Sequence, residues 1–201
     1  MAGRKNLWGV MMRSLFVVLL GASCISACSN SESPNGWITI FDGSDLDALD
    51  AVGDANWTIE EDTVRADDGE GFLVTTETFD DFELEAEFWA DVPANSGIFV
   101  RCPDAQDISA ETCYEVNIFD TRPDQTYRTG SIVDVASPRA FVHAADRWNS
   151  FRIAADGTHL TVELNGIVLV DTEDDRFASG HIGLQRAAGT IMFRNVRIRP
   201  R

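Results

Sequence analysis

At 201 residues the chain is long enough for one domain with a core of its own. Its 16 Lys+Arg stand against 33 Asp+Glu, a net charge of −17; with Arg4, Lys5 and Arg13 in the leader, the remainder carries 13 basic and 33 acidic groups, a net of −20. A surface of that sign repels polyphosphates and anionic membrane faces, which excludes nucleic acid as a partner and suits a neutral or cationic ligand.

Arg4, Lys5 and Arg13 form a basic n-region ahead of the apolar run SLFVVLLGA at residues 14–22, well short of the roughly 20 residues a bilayer span requires. Next comes Ile25-Ser26-Ala27-Cys28. This resembles the lipobox of bacterial lipoproteins, with small residues directly before a cysteine. The resemblance implies cleavage before Cys28, a diacylglycerol thioether on its sulfur and a lipid-anchored place in the cell envelope. Ser29 rather than Asp follows Cys28, which leans toward the outer membrane where the host has two. Cys24, preceded by Gly-Ala-Ser, leaves with the leader. Labelled palmitate should therefore enter the full chain made in a bacterial host and be lost in Cys28→Ser; an unlabelled wild type would mean ordinary secretory cleavage. Residues 1–27 thus read as signal peptide, 28–35 as lipidated cysteine and polar tether (Ser-Asn-Ser-Glu-Ser-Pro-Asn), and 36–201 as one β domain.

Past the tether, apolar residues alternate with period two and show no helical period. Phe82, Leu84, Ala86 and Phe88 point one way and Glu83, Glu85 and Glu87 the other. In residues 96–101, Ile98 and Val100 are expected inward with Phe99 and Arg101 outward; in 114–120, Val116 and Ile118 inward with Glu115, Asn117 and Phe119 opposite. Cys102 and Cys113 end and begin these two runs, with about ten mostly polar residues between them. An exported chain permits disulfides, so the two are expected to pair and close the loop 103–112, adding on the order of 2–3 kcal/mol. Phe151 and Ile153 follow, then Leu160, Val162 and Leu164, then Asn165-Gly166 before another apolar run. Asn-Gly is the strongest short hairpin signal, because a type I′ turn needs positive φ at both central residues. Ile182 and Leu184 alternate with His181, Gly183 and Gln185. Ile191 and Phe193 share one parity while Val196 and Ile198 take the other, which predicts a bulge near Asn195. Many short strands with Gly, Asp and Asn turns make a β-sandwich or a barrel.

Strands with one apolar and one polar side cover a core and leave a solvated face. In a curved two-sheet sandwich, the solvated side of the concave sheet is a natural carbohydrate groove. Glu87, Arg101, Glu115, Asn117 and Gln185 all sit on the polar parity of their strands, with Trp89, Phe99 and Phe119 available to stack on sugar rings.

Eight segments occur in a fixed order: Phe41-Asp-Gly-Ser-Asp-Leu46, Asn95-Ser-Gly-Ile-Phe-Val-Arg101, Tyr114-Glu-Val-Asn-Ile-Phe-Asp120, Thr129-Gly130, Trp148-Asn149, Leu164-Asn-Gly166, Gly183-Leu-Gln185 and Phe193-Arg-Asn-Val-Arg-Ile198. Together they resemble the 3-keto-disaccharide hydrolase family across nearly the whole domain. The resemblance implies an all-β, concanavalin-like jelly roll of two antiparallel sheets, and a carbohydrate ligand whose C3 hydroxyl has been oxidised to a ketone. The ketone acidifies the C2 hydrogen; a base removes it, the C1 aglycone leaves by β-elimination, and water adds across the resulting enone. Such a reaction needs a base, donors to the enolate oxygen and an acid for the leaving group. Carried onto this chain, the resemblance implies Glu115 as base or acid, Asp120 as a second carboxyl function, and Arg101 as the group that stabilises the enolate or keeps Glu115 ionised. Asn95, Asn117, Glu87 and Gln185 would bind hydroxyls.

The chain departs from the family at two places. Relatives carry Asp-His-Gly after the Leu-Gln pair and a Tyr shortly after Thr-Gly, whereas Leu184-Gln185 is followed by Arg186-Ala187-Ala188-Gly189 and the Tyr position holds Val133. His181, on the parity of Gln185, is the available substitute. A divalent metal on these carboxylates is conceivable, although no spacing demands one. Three further readings stand beside the keto-sugar enzyme. One is a non-catalytic carbohydrate-binding lipoprotein on the same fold. Another is an interaction module of the envelope. The last is an ordinary glycosidase using Glu87 and Glu115 as a carboxylate pair on one face.

Overall fold

Thirteen strands pair into two antiparallel sheets over residues 35–201, the part of the chain described by this computed structural model. The leader, Cys24, Cys28 and the tether through Pro34 lie outside the described residues. One sheet has eight strands. Its central strands are β6 (Phe82–Ala90) and β13 (Ile191–Pro200), flanked on one side by β9 (Trp148–Asp156), β10 (His159–Leu164) and β11 (Ile167–Glu173). On the other side β13 pairs first with β4 (Thr63–Ala66), which carries β3 (Thr58–Glu60), and then with β1 (Ile38–Phe41). The second sheet runs β2 (Leu49–Gly53), β5 (Gly71–Thr75), β12 (His181–Arg186), β7 (Ser96–Cys102), β8 (Tyr114–Ile118). No helix among the described residues is long and apolar enough to cross a membrane.

Alternation builds the core. Phe82, Leu84, Ala86 and Phe88 on β6, Phe151 and Ile153 on β9, and Leu160, Val162 and Leu164 on β10 face Ile98, Val100, Val116, Ile118, Ile182 and Leu184 of the other sheet, all buried in one cluster. Asn165 and Gly166 both take positive φ (52° and 80°), as a type I′ hairpin requires, between β10 and β11. The bulge in β13 falls where the parity slips: the register jumps between Arg194 and Arg197, with Asn195 at φ 50°. Beyond the bulge Val196 and Ile198 return to the core.

The three glutamates of β6 form a ladder of ion pairs on the outer face of the eight-stranded sheet. Glu83 meets Arg199, Arg152 and Arg201; Glu85 meets Arg152 at 2.8 Å and Arg197; Glu87 meets Arg194 at 2.8 Å. Trp37 lies beneath Arg197 and Arg199, and Trp148 beneath Arg194.

The β7–β8 connection is closed as expected, by a Cys102–Cys113 disulfide with Cα atoms 4.7 Å apart. Residues 103–112 are braced from within by the Thr112 hydroxyl, which donates to the Asp107 carbonyl at 2.8 Å and accepts from the Ser109 N–H at 3.0 Å.

Candidate functional site

Strand register decides which polar side chains meet on the outer face of the five-stranded sheet. Gly97 pairs with Asn117, and Ile98 with Leu184, so Gln185, Gly97 and Asn117 make one row across β12, β7 and β8. The next row is Gly183, Phe99 and Glu115. Neighbouring strands lie about 4.8 Å apart and same-face residues about 7 Å apart along a strand, so Glu115, Asn117 and Gln185 project from one face within about a sugar ring's length of one another. A glycine stands in each row because a side chain has to cross it. A Cβ on Gly97 would meet Glu115 Cγ and the Phe99 ring, each at 3.3 Å; one on Gly183 would meet Ile108 Cδ1 and the Phe72 ring, each at 3.4 Å. Glu115 therefore leans over Gly97 toward Gln185, and Ile108 reaches over Gly183.

Glu115 is 9% exposed, and its carboxyl makes no hydrogen bond among the described residues. Burial pushes its pKa up to about 7; nearby Arg122 pulls it down and Asp134 pushes it further up. A carboxyl poised there holds both protonation states at neutral pH, as a general acid–base group needs. Around it lie buried acceptors without donors. Asn117 is fully buried; its amide nitrogen donates to the Tyr127 carbonyl, which fixes the amide's orientation and leaves Oδ1 unpartnered, and Gln185 Oε1 is likewise buried and unpartnered. Orphaned buried acceptors cost on the order of 1–3 kcal/mol each. Asn95, on the parity of Gly97, sits at the rim, where its backbone pairs with Ala187 and Ala188.

Arg101, expected beside Glu115, is elsewhere. Two residues of β7, Val100 and Arg101, stand opposite Ile182 alone, so a bulge interrupts the strand, and Arg101 takes φ 55°. That turn carries the side chain off the sheet face into the end of the sandwich, where it is 1% exposed. Its Nε donates to the Asp80 carbonyl (2.9 Å), Nη1 to the carbonyls of Gly157 (2.7 Å) and Phe177 (3.1 Å), and Nη2 to Asp81 Oδ1 (2.9 Å). Arg101 is a structural staple. The cation near Glu115 is Arg122, which lies with Asp134 in irregular segments after β8, where no periodicity points to either.

Asp120 does not join Glu115 either, because it lies an odd number of residues away and takes the opposite parity. Its Oδ2 accepts from the N–H groups of Ala144 (2.8 Å) and Ala145 (3.1 Å), and Oδ1 from Arg128 (3.3 Å). Burial raises its pKa, but the Thr129 hydroxyl, those N–H groups and Arg128 outweigh it and hold the carboxyl below its ordinary value. Asp120 thus pins the 137–147 loop. Glu87 and Trp89 are on β6, in the other sheet, so Glu87 and Glu115 are not a glycosidase pair on one face. His181 keeps to the Gln185 face but about 13 Å along β12 from it, with Nδ1 2.7 Å from the Thr75 carbonyl. Phe99 is buried beneath Ile108 and offers no stacking surface. At the position of the family's Asp-His-Gly, Arg186 donates to the carbonyls of Gly189 (3.1 Å), Asp67 (2.9 Å) and Gly69. Val133 is buried and donates its N–H to the Glu115 carbonyl at 3.0 Å.

A sugar-sized hollow of about 590 Å³ exists, but on the opposite side of the molecule, lined by Glu85, Glu87, Arg152, Asn195 and Arg197 among others. Its size and the chemistry disagree, and the chemistry decides. Burial raises the pKa of Glu85, yet Arg152 and Arg197 more than offset this and hold it low. Glu87 is committed to Arg194 and Asn195. Paired carboxylates of this kind are poor proton carriers. Among the described residues no three His, Cys, Asp or Glu side chains come together as metal ligands.

Known structures share this architecture. A protein of Parabacteroides distasonis ATCC 8503, whose assignment as a glycosyl hydrolase is itself provisional, superposes with a TM-score of 0.74 at 17% identity, over 86% of this chain and 99% of its own. A second such protein from the same organism reaches 0.70 at 24% identity, over 82% and 99%. The carbohydrate-binding module CBM66 from Bacillus subtilis gives 0.53 at 19% identity, over 81% and 94%. At such identities the likeness shows the fold, a concanavalin-like jelly-roll sandwich. Comparison with curated proteins gives no match. Residues 36–199 match the 3-keto-α-glucoside-1,2-lyase-like domain, and the chain belongs to that family.

Proposed function

We propose that the outer face of the five-stranded sheet binds a 3-keto-glycoside and that Glu115 moves the protons that cleave it, in a chain we read as lipid-anchored through Cys28. One observation carries this reading: a buried carboxyl poised near 7 and bonded to nothing shares a face with two unpartnered amide oxygens. Asn117 Oδ1 and Gln185 Oε1 accept sugar hydroxyls and hold the ring against the Glu115 carboxyl. Ionised Glu115 takes the C2 hydrogen as a proton. The C–H electron pair becomes the enolate, whose O3 charge is balanced by Arg122. As the ketone re-forms, the C1–O bond breaks, and the protonated Glu115 returns its proton to the departing oxygen. Water then adds its hydroxyl at C1 and its proton at C2, so the net change is hydrolysis.

Incubation with a 3-keto-glucoside tests this. Wild type releases the aglycone, and Glu115→Gln reduces release by about 10²-fold or more, the usual worth of a general acid–base group. Sugar binding without turnover would favour the second reading, a non-catalytic carbohydrate-binding protein. That reading draws support from Arg186, which spends its guanidinium on backbone carbonyls where relatives carry a histidine. Neither turnover nor binding would sink both.

A further inference from the structure

The β7–β8 loop departs from the usual course of a hairpin connection. Such a loop should project past the end of its sheet. Here residues 103–112 fold back over the sheet face, crossing β7 to reach the middle strand, so that Ile108 Cδ1 comes within 3.4 Å of the place a Gly183 Cβ would occupy. Ile108 packs with Phe72, Phe99 and the Cys102–Cys113 pair in a small apolar cluster of its own, separate from the main core. The loop is held there by the disulfide, by the Thr112 hydroxyl and by the Cys113 N–H, which donates to the Ser109 carbonyl at 2.9 Å. A built-in apolar cluster on the polar side of a sheet is a fixed obstacle, since moving it would re-expose two phenylalanine rings to water.

Its place matters. The two unpartnered amides belong to the row of Gln185, Gly97 and Asn117, and Ile108 stands over the next row, about 7 Å along the strands. One sugar ring occupies about that distance. In the other direction the face leads to Asn95, Ala187 and Ala188, which are only partly buried. We propose that Ile108 and its disulfide-closed loop form a wall that closes one end of the site, so that the substrate is a 3-keto ring at the end of a glycan or glycoside, never an internal ring. An internal ring carries linkages on two sides and needs both directions open; an end ring needs one. This inference rests on the assignment of the five-stranded face as the keto-sugar site.

The test compares two substrates: a disaccharide with the ketone on its terminal ring, and a trisaccharide with the ketone on its middle ring. Wild type should cleave the first at least 100-fold faster. Ile108→Ala should lower that ratio at least tenfold, and Ile108→Val, a gentler truncation that keeps the cluster folded, should lower it by less. Equal rates on both substrates in wild type, or a ratio unmoved in both variants, would overturn the wall while leaving the catalytic reading intact. No cleavage of either substrate by wild type would overturn the catalytic reading, and the wall with it.

Discussion

Arg101→Ala should lower the unfolding free energy by about 3 kcal/mol, read as a drop in the urea midpoint with an unchanged slope. The side chain ties three connections together: β5–β6 through Asp80 and Asp81, β9–β10 through Gly157, and β11–β12 through Phe177. Two of these connections join one sheet to the other. Removing the guanidinium leaves three carbonyls without a donor and breaks the pair with Asp81. The Asp81 side chain is 39% exposed and can rehydrate, which keeps the loss toward the lower end of what breaking a buried ion pair costs. Arg101→Lys keeps the charge but not the planar fork, and should fall between the two. A loss below 1 kcal/mol for Arg101→Ala would show that the staple carries no strain-bearing role.

Glu115→Gln should stabilise the protein at pH 8 and leave it unchanged at pH 4. The sign follows from proton binding. Between the ordinary glutamate value of 4.5 and the folded value of about 7, the folded state holds a proton that the unfolded state has released. Stability therefore falls as pH rises through that window, opposite to the behaviour of a salt-bridged carboxylate. Above pH 7 the folded protein keeps a buried charge, at a cost of about 3 kcal/mol. The neutral amide avoids this, so the unfolding curves of variant and wild type should converge in acid and separate in base. Curves that stay parallel from pH 4 to pH 8 would refute a displaced Glu115. Paired with the loss of aglycone release, the gain would show a group kept for chemistry against stability.

Much of the fold was legible because strand periodicity reports burial directly. β6 through β13, the Asn165-Gly166 turn, the slip at Asn195 and the Cys102–Cys113 bridge all follow from local residue patterns. The strands between Ile38 and Thr75 were not, being three to five residues long, with β3 wholly exposed. For the site, parity grouped Glu115, Asn117 and Gln185 correctly, because their strands run regularly to those positions. Parity failed where the strand did. Arg101 lies in a bulge that the residue alternation does not announce, and Glu87 shares a parity but not a sheet with Glu115. Ile108, one apolar residue in a polar loop, gives no periodic signal; its meaning comes from the disulfide that sets where the loop lands.

The two outer faces of the sandwich are electrically unlike. On the eight-stranded side, Glu83, Glu85 and Glu87 are matched by Arg152, Arg194, Arg197, Arg199 and Arg201, so much of the domain's cationic content is gathered there. The chain also enters on that side, where Trp37 lies under Arg197 and Arg199 just before β1 joins β13. An anchor at Cys28, as proposed, would hold the domain by this charge-matched side. Glu115 lies on the other sheet, so the proposed keto-sugar face would be left turned away from that anchor.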